Sequence, residues 1–324
     1  MRKPLKPQSI RRMRPLTSKR QRRDLVPVMF IDSHCHLDAY EEYSGETLDA
    51  LFARLQAATD AARLNSTSTA AFPIPDLSSQ KSWSSSKSNT PDPNIRMPEA
   101  FIHVACDPKD LDKGVELIEK YSFVYGAFGI HPEYVSVTTP DDEARIAGLL
   151  KHPKCVACGE IGLDYHYGAD KKIDQCKLFE RQLSIGIDSG KPLVFHLREA
   201  DEDALAILRN ANLHDRNIHV HCFTGSPEFV EELLSLDANV FIGFTGIVTF
   251  KSAQNVRDAA MLVPYNQILL ETDSPYMAPV PHRGKTCHSG FIPYTAQMLS
   301  DIKKIPVDEL YRQCRENTRQ CYGI

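Results

Sequence analysis

The sequence predicts an α/β fold of the (β/α)8 type, a TIM barrel, and three observations predict it. From residue 28 onward, short apolar runs bounded by turn residues alternate with amphipathic stretches; the runs number eight; and histidines or acids stand at the ends of six of them. An open doubly wound sheet shares the alternation, and the count of eight favours the closed barrel.

In chain order, the first segment is a basic tail. Residues 1–28 hold ten Lys or Arg against one acid, Asp24, which leaves 28 basic and 41 acidic residues for the rest, a body near −13. Four prolines and the lack of a long apolar run argue against a secretory signal. An Arg-rich mitochondrial transit peptide, a nuclear or nucleic-acid-binding tail built on Lys19, Arg20, Arg22 and Arg23, and a solvated extension without an address all stay open, so residues 1–27 are expected to be a disordered tail before one catalytic domain at 28–324. The first apolar run, 28–32, comes next. After it, 47–58 sets Leu48, Leu51, Phe52 and Leu55 on one helical face. Residues 65–94 carry nine serines, four prolines and three threonines around Trp83, the chain's only tryptophan. Such a segment buries too little apolar surface to offset its ordering entropy, and it is expected to be a disordered surface insertion. The remaining strand candidates are 101–105, 124–129, 155–160, 192–196, 217–222, 239–243 and 268–272. A further helical face, with Cys176, Phe179, Leu183 and Ile187, lies at 174–187.

The strand ends carry the chemistry. The first strand leads into Asp32-Ser33-His34-Cys35-His36, the third into Gly129-Ile130-His131, and the fourth into Gly159-Glu160-Ile161-Gly162. The fifth ends His196-Leu197-Arg198-Glu199, the sixth His219-Val220-His221-Cys222, and the eighth Glu271-Thr272-Asp273. In a closed barrel these ends ring one mouth, where barrel enzymes keep their active sites. His34, His36, Glu160, His196, His221 and Asp273 would converge there as an imidazole and carboxylate set suited to Zn, Mn, Mg or Fe. One histidine at a strand end is more often a satisfied polar residue; that explanation does not cover six at the same end. Six ligands exceed the needs of one catalytic ion, whereas two divalent ions bridged by Glu160 would use them. Asp164 and Glu199 stand where they could orient ligating histidines, with surface roles the open alternative, and His103, His152 and His166 fit no ligand position.

Composition narrows the function classes. With 42% hydrophobic and 25% charged residues the chain is ordinary globular material. The sequence has no apolar stretch long enough for a membrane span, so no membrane partner is expected. Nine cysteines, an odd and dilute set, read as reduced thiols of an intracellular protein. Cys155 and Cys158 lie along an apolar strand without a second pair and read as small buried hydrophobes, while Cys35 and Cys222 read as fillers behind the imidazoles. No dinucleotide fingerprint or P-loop occurs.

Four segments carry a family resemblance: Asp32-Ser33-His34-Cys35-His36-Leu37-Asp38, Gly159-Glu160-Ile161-Gly162-Leu163-Asp164-Tyr165, His221-Cys222-Phe223-Thr224-Gly225 and Glu271-Thr272-Asp273-Ser274-Pro275-Tyr276. They resemble the signature segments of the TatD family of metal-dependent deoxyribonucleases, in order, over residues 29–321. The resemblance implies a 3′-to-5′ exonuclease acting on DNA strand ends with two divalent ions, magnesium or else manganese or zinc. It implies His34, His36, Glu160, His196, His221 and Asp273 as metal ligands. Asp273, Glu160 and His131 would be catalytic, and His131, Arg198, Arg283 and Lys285 would bind substrate phosphate. Pro281-His282-Arg283-Gly284-Lys285 is similar to the family's basic substrate loop, but it continues as Thr286-Cys287-His288-Ser289-Gly290 in place of the asparagine-containing sequence. DNA ends are the expected partner, and no obligate protein partner is inferred. The acidic body, which shows no broad basic stripe, favours binding at strand ends over tracking along a duplex. Hydrolysis of another ester or amide on the same metals, as in an aminoacyl-tRNA deacylase, is the alternative, and a non-catalytic nucleic-acid-binding protein is the third reading.

Overall fold

The computed structural model describes residues 29–65, 92 and 94–324. The expected basic tail at 1–27 and nearly all of the serine-rich insertion, Trp83 included, lie outside the described residues.

Eight parallel strands pair in chain order: β1 (Ile31–Cys35), β2 (Ala100–Ala105), β3 (Val124–Phe128), β4 (Cys155–Asp164), β5 (Leu193–Arg198), β6 (Asn217–Val220), β7 (Asn239–Phe244) and β8 (Ile268–Leu270). The ring closes between β8 and β1. Cys35 bridges to Ser274, the His36 N–H donates to the Ser274 carbonyl at 2.7 Å, and the Asp273 N–H donates to the His34 carbonyl at 3.0 Å. Side chains finish the seam: Asp32 accepts from the Thr272 N–H at 3.0 Å and from its hydroxyl at 2.6 Å, and the Ser33 hydroxyl donates to the Leu270 carbonyl at 3.0 Å. This is a TIM barrel.

The helices are α1 (Leu37–Ser44), α2 (Leu48–Asn65), α3 (Leu111–Lys120), α4 (Pro140–Leu149), α5 (Tyr165–Gly168), α6 (Lys172–Ser189), α7 (Asp201–Asn210), α8 (Pro227–Leu234), α9 (Gln254–Leu262), α10 (Ile292–Lys303) and α11 (Val307–Tyr322). Local chemistry sets their ends. A Thr139–Asp142 capping box with Pro140 at the first turn starts α4, the Ser226 hydroxyl caps α8, and Gly190 at φ 73° ends α6. Segment 47–58 forms α2, which runs on to Asn65, and 174–187 lies inside α6.

Alternation along the strands builds two core layers. Phe101, Phe128, Leu193, Phe195, Ile218, Val220 and Phe244 pack outward against the helices. Ile102, Val104, Val156, Val194, Phe241 and Leu269 fill the interior with Cys321 and Tyr322 from the end of α11. Several expected strand limits shift, and β5 runs on to Arg198 while β6 stops at Val220. The first strand begins at Ile31 and contains His34. The last stops at Leu270, so Asp273 sits on the loop beyond. The fourth continues four residues past Glu160, with its register against β5 slipping between Cys158 and Ile161. Gly162 permits that course: its φ is 148°, and a Cβ there would lie 2.0 Å from the His196 carbonyl oxygen.

Candidate metal centre

The candidates sit near the ends of the strands or just past them. On β5, His196 and Arg198 are two residues apart and share a face, while His36, His221 and Asp273 lie on the turns that follow β1, β6 and β8. The structure brings all six sequence-predicted metal ligands together at the C-terminal mouth. His34 Nε2 lies 2.9 Å from Glu160 Oε2, 3.3 Å from His36 Nε2 and 3.7 Å from Asp273 Oδ1. Asp273 Oδ1 is 3.3 Å from His36 Nε2; His221 Nε2 is 3.0 Å from Glu160 Oε2 and 2.9 Å from His196 Nδ1.

Hydrogen bonds choose which nitrogen faces this cluster. The His36 Nδ1–H donates to the Val104 carbonyl at 3.0 Å and leaves Nε2 with its lone pair inward. His196 is turned the other way: its Nε2–H donates to Asp164 Oδ2 at 3.0 Å, so Nδ1 points into the cluster. That carboxylate–imidazole pair is the arrangement that orients and strengthens a metal-ligating histidine. Burial opposes ionisation of Asp164, yet His196 and backbone donors hold it at about 2. Burial likewise opposes ionisation of Glu160, and the surrounding His221 and His34 keep its pKa well below the usual carboxylate range.

The donor set fits a divalent cation. Ring nitrogens and carboxylate oxygens crowd together, and Glu160 Oε2, buried against the Nε2 atoms of His34 and His221, has no hydrogen-bond partner. Ligand atoms of His34, His36 and Glu160 lie within 4.8 Å of one another, and so do those of Glu160, His196 and His221 and those of His34, His221 and Asp273. Glu160 is common to the first two groups.

His131 stands beside them, its Nε2 3.5 Å from Glu160 Oε1 and its ring edge-on to His196 at 4.3 Å. Its Nδ1 accepts the Glu133 N–H at 3.2 Å, so the neutral ring carries its proton on Nε2. Burial first, then repulsion from His196, pushes its pKa down to about 3; at neutral pH it is a donor without charge. The Arg198 guanidinium lies over the Tyr167 ring at 4.9 Å and 4.0 Å from Asp164. Arg283 covers the Phe250 ring at 4.1 Å on the loop after β8, which also carries Lys285.

The expected orienting role divides. Asp164 meets His196, but Glu199 does not meet a candidate ligand: at φ 54° its backbone turns away, and its carboxylate pairs with His166 Nδ1 at 2.6 Å. Three further groups carry no role assigned from the sequence. Cys106 donates its thiol to Glu160 Oε1 at 3.7 Å. Below the mouth His219 Nε2 lies 2.8 Å from Glu271 Oε2, while His219 Nδ1 meets the Tyr322 hydroxyl at 2.6 Å. A signal for His219 and Glu271 is present in the sequence, since each precedes a candidate ligand by two residues at a strand end.

The pattern of the TatD-related DNase family matches residues 31–323. The chain belongs to the TatD-related DNase family. The human 3′-5′ RNA nuclease TATDN2 is 35% identical to this TatD-family chain over 303 residues, which cover 91% of the chain and 35% of that protein, so the chain spans about a third of its relative's length. A Bacillus subtilis relative, named an uncharacterized metal-dependent hydrolase, YabD, is 33% identical over 226 residues, covering 70% of the chain and 88% of the relative. Among solved structures, the TatD homologue YjjV of Escherichia coli K12 superposes with a TM-score of 0.73 at 23% identity, covering 91% of this chain and 98% of that one. At that identity the likeness shows the shared barrel. The family is one of metal-dependent hydrolases, and among the described residues no helix is long and apolar enough to cross a membrane.

Proposed function

We propose that the chain is a nuclease: a divalent-metal-dependent phosphodiesterase that shortens DNA from the 3′ end. The observation that carries this reading is the convergence of four imidazoles and two carboxylates at one mouth, with Glu160 shared between two ligand groups. His34, His36 and Glu160 would hold one ion, Glu160, His196 and His221 a second, and Asp273 lies against the first group. When bound, such ions acidify a coordinated water and draw charge from phosphoryl oxygens. Magnesium is the expected ion, and manganese or zinc suits a set this rich in imidazole.

The chain's own groups divide the remaining work. Asp273 accepts the proton of the attacking water as its oxygen bonds to phosphorus and the bridging oxygen leaves. His131, neutral with its proton on Nε2, donates to a phosphoryl oxygen. Arg198 holds a phosphate from the β5 side, and Arg283 and Lys285 hold it from the loop after β8. RNA is the second reading, favoured by the human relative that is named an RNA nuclease.

The test uses end-labelled single-stranded and duplex DNA, and RNA, with magnesium, manganese or zinc, with EDTA, and with a His196→Ala control. Metal-dependent shortening from the 3′ end that falls at least a hundredfold in the variant is expected. A protein shown by elemental analysis to hold metal, yet cleaving no strand, would overturn the reading in favour of another ester or amide hydrolase.

A further inference from the structure

Two tyrosines stand exposed at the mouth beside the candidate metal centre. Tyr276 is 39% exposed and Tyr43 58% exposed, and their rings meet edge to face at 5.1 Å. Tyr276 is also 6.3 Å, ring to ring, from His36, whose Nε2 faces Asp273. The backbone fixes this place. The Tyr276 N–H donates to the Asp273 carbonyl at 2.9 Å, the His36 N–H to the Ser274 carbonyl at 2.7 Å, and the Cys287 N–H to the Pro275 carbonyl at 2.9 Å. Tyr43 comes from α1, which begins directly after His36 and is anchored by buried Leu37 and Tyr40, the Tyr40 hydroxyl donating to Glu46 at 2.8 Å.

Scattered exposed aromatics need no explanation, but an adjoining pair with one ring 6.3 Å from a candidate ligand does. We propose that Tyr276, backed by Tyr43, is a stacking platform for the terminal base of a single-stranded nucleic acid. The proposal rests on the nuclease reading and names the form of substrate the site takes. An aromatic face binds any base, so the platform carries no sequence preference; a base lying on it has left the duplex stack, so the end must be single-stranded or frayed. Arg198, Arg283 and Lys285 on the rim complement the phosphates of such a strand.

The experiment compares a single-stranded 12-nucleotide DNA with the same strand ending in a 3′-terminal abasic residue, with metal, in wild type and in Tyr276→Ala, Tyr276→Trp and Tyr43→Ala. Wild type is expected to favour the intact end in kcat/KM by about 5- to 150-fold, equivalent to one stacking contact of roughly 1–3 kcal/mol. Tyr276→Ala brings that ratio toward one, chiefly through KM; Tyr276→Trp restores it; Tyr43→Ala narrows it in part. A blunt duplex is cut more slowly than the same end with a 3′ overhang. Equal cleavage of intact and abasic ends by wild type, or a ratio that Tyr276→Ala leaves untouched, overturns the platform and leaves the nuclease reading standing. Cleavage of neither strand, nor of the same sequence as RNA, overturns both.

Discussion

His196 and Asp273 show how much of the site depends on single backbone and side-chain orientations. Asp164 fixes the His196 ring so that Nδ1 enters the cluster, while Asp273 reaches it from a backbone at φ 57°. Residue identity at strand ends makes His34, His36, Glu160, His196, His221 and Asp273 legible, because few other roles call for those types in that place. Cys106 is not legible, since nothing in a sequence marks a thiol that meets Glu160 across two strands. Glu199 takes the surface alternative, pairing with exposed His166 from a left-handed backbone. The conformation of Asp273 also makes a clean test, since asparagine is among the residues that tolerate positive φ. Asp273→Asn removes the proton acceptor and keeps the shape. Strand shortening is expected to fall by roughly 10²–10⁴-fold while the thermal midpoint stays near that of the wild type. Full turnover in the folded variant would reassign the base.

The strands, taken as elements, stack their inward residues in layers. His221 and Asp273 form part of the upper layer; His219 and Glu271, both fully buried, form the one beneath, tied to the end of α11 through Tyr322. A buried imidazole–carboxylate contact of this kind leaves little room around it, and β7 supplies the space with Gly243. A Cβ there would lie 2.4 Å from both Glu271 Oε2 and His219 Nε2. Gly243→Ala is therefore expected to cost about 1–3 kcal/mol by overpacking, read as a thermal midpoint several degrees lower. An unchanged midpoint would show that the pair shifts freely. Element existence is legible from apolar runs, and all eight strands occur. Their ends are less so, because β4 runs on through Gly162 only where His196 presents its backbone, a contact between segments more than thirty residues apart.

For the molecule as a whole, closure of the ring is what turns six separated segments into one site. No local pattern specifies it. Asp32 with Thr272, and Ser33 with Leu270, join residues more than two hundred positions apart, and the same seam sets His34 beside Asp273. Eight units favour closure, but the bonds that complete it can be identified only once β1 and β8 are adjacent. Since the candidate ligands come from strands and loops all around the mouth, a bound ion would hold those segments together and bind the folded chain in preference to the unfolded one. Folding stability should therefore depend on metal: at a free concentration a hundred times its Kd, one ion adds about 2.7 kcal/mol. For a domain of this size that corresponds to a thermal midpoint roughly 5–10 °C higher. Calorimetry of the metal-loaded protein, of the same protein after exhaustive chelation, and of the chelated protein with metal restored measures it. The midpoint should fall on chelation and recover on addition, and Glu160→Gln, which weakens both ligand groups at once, should lose most of the recovery. A midpoint indifferent to metal in the wild type would mean that the cluster holds together without an ion, and the two-ion reading of Glu160 would go with it.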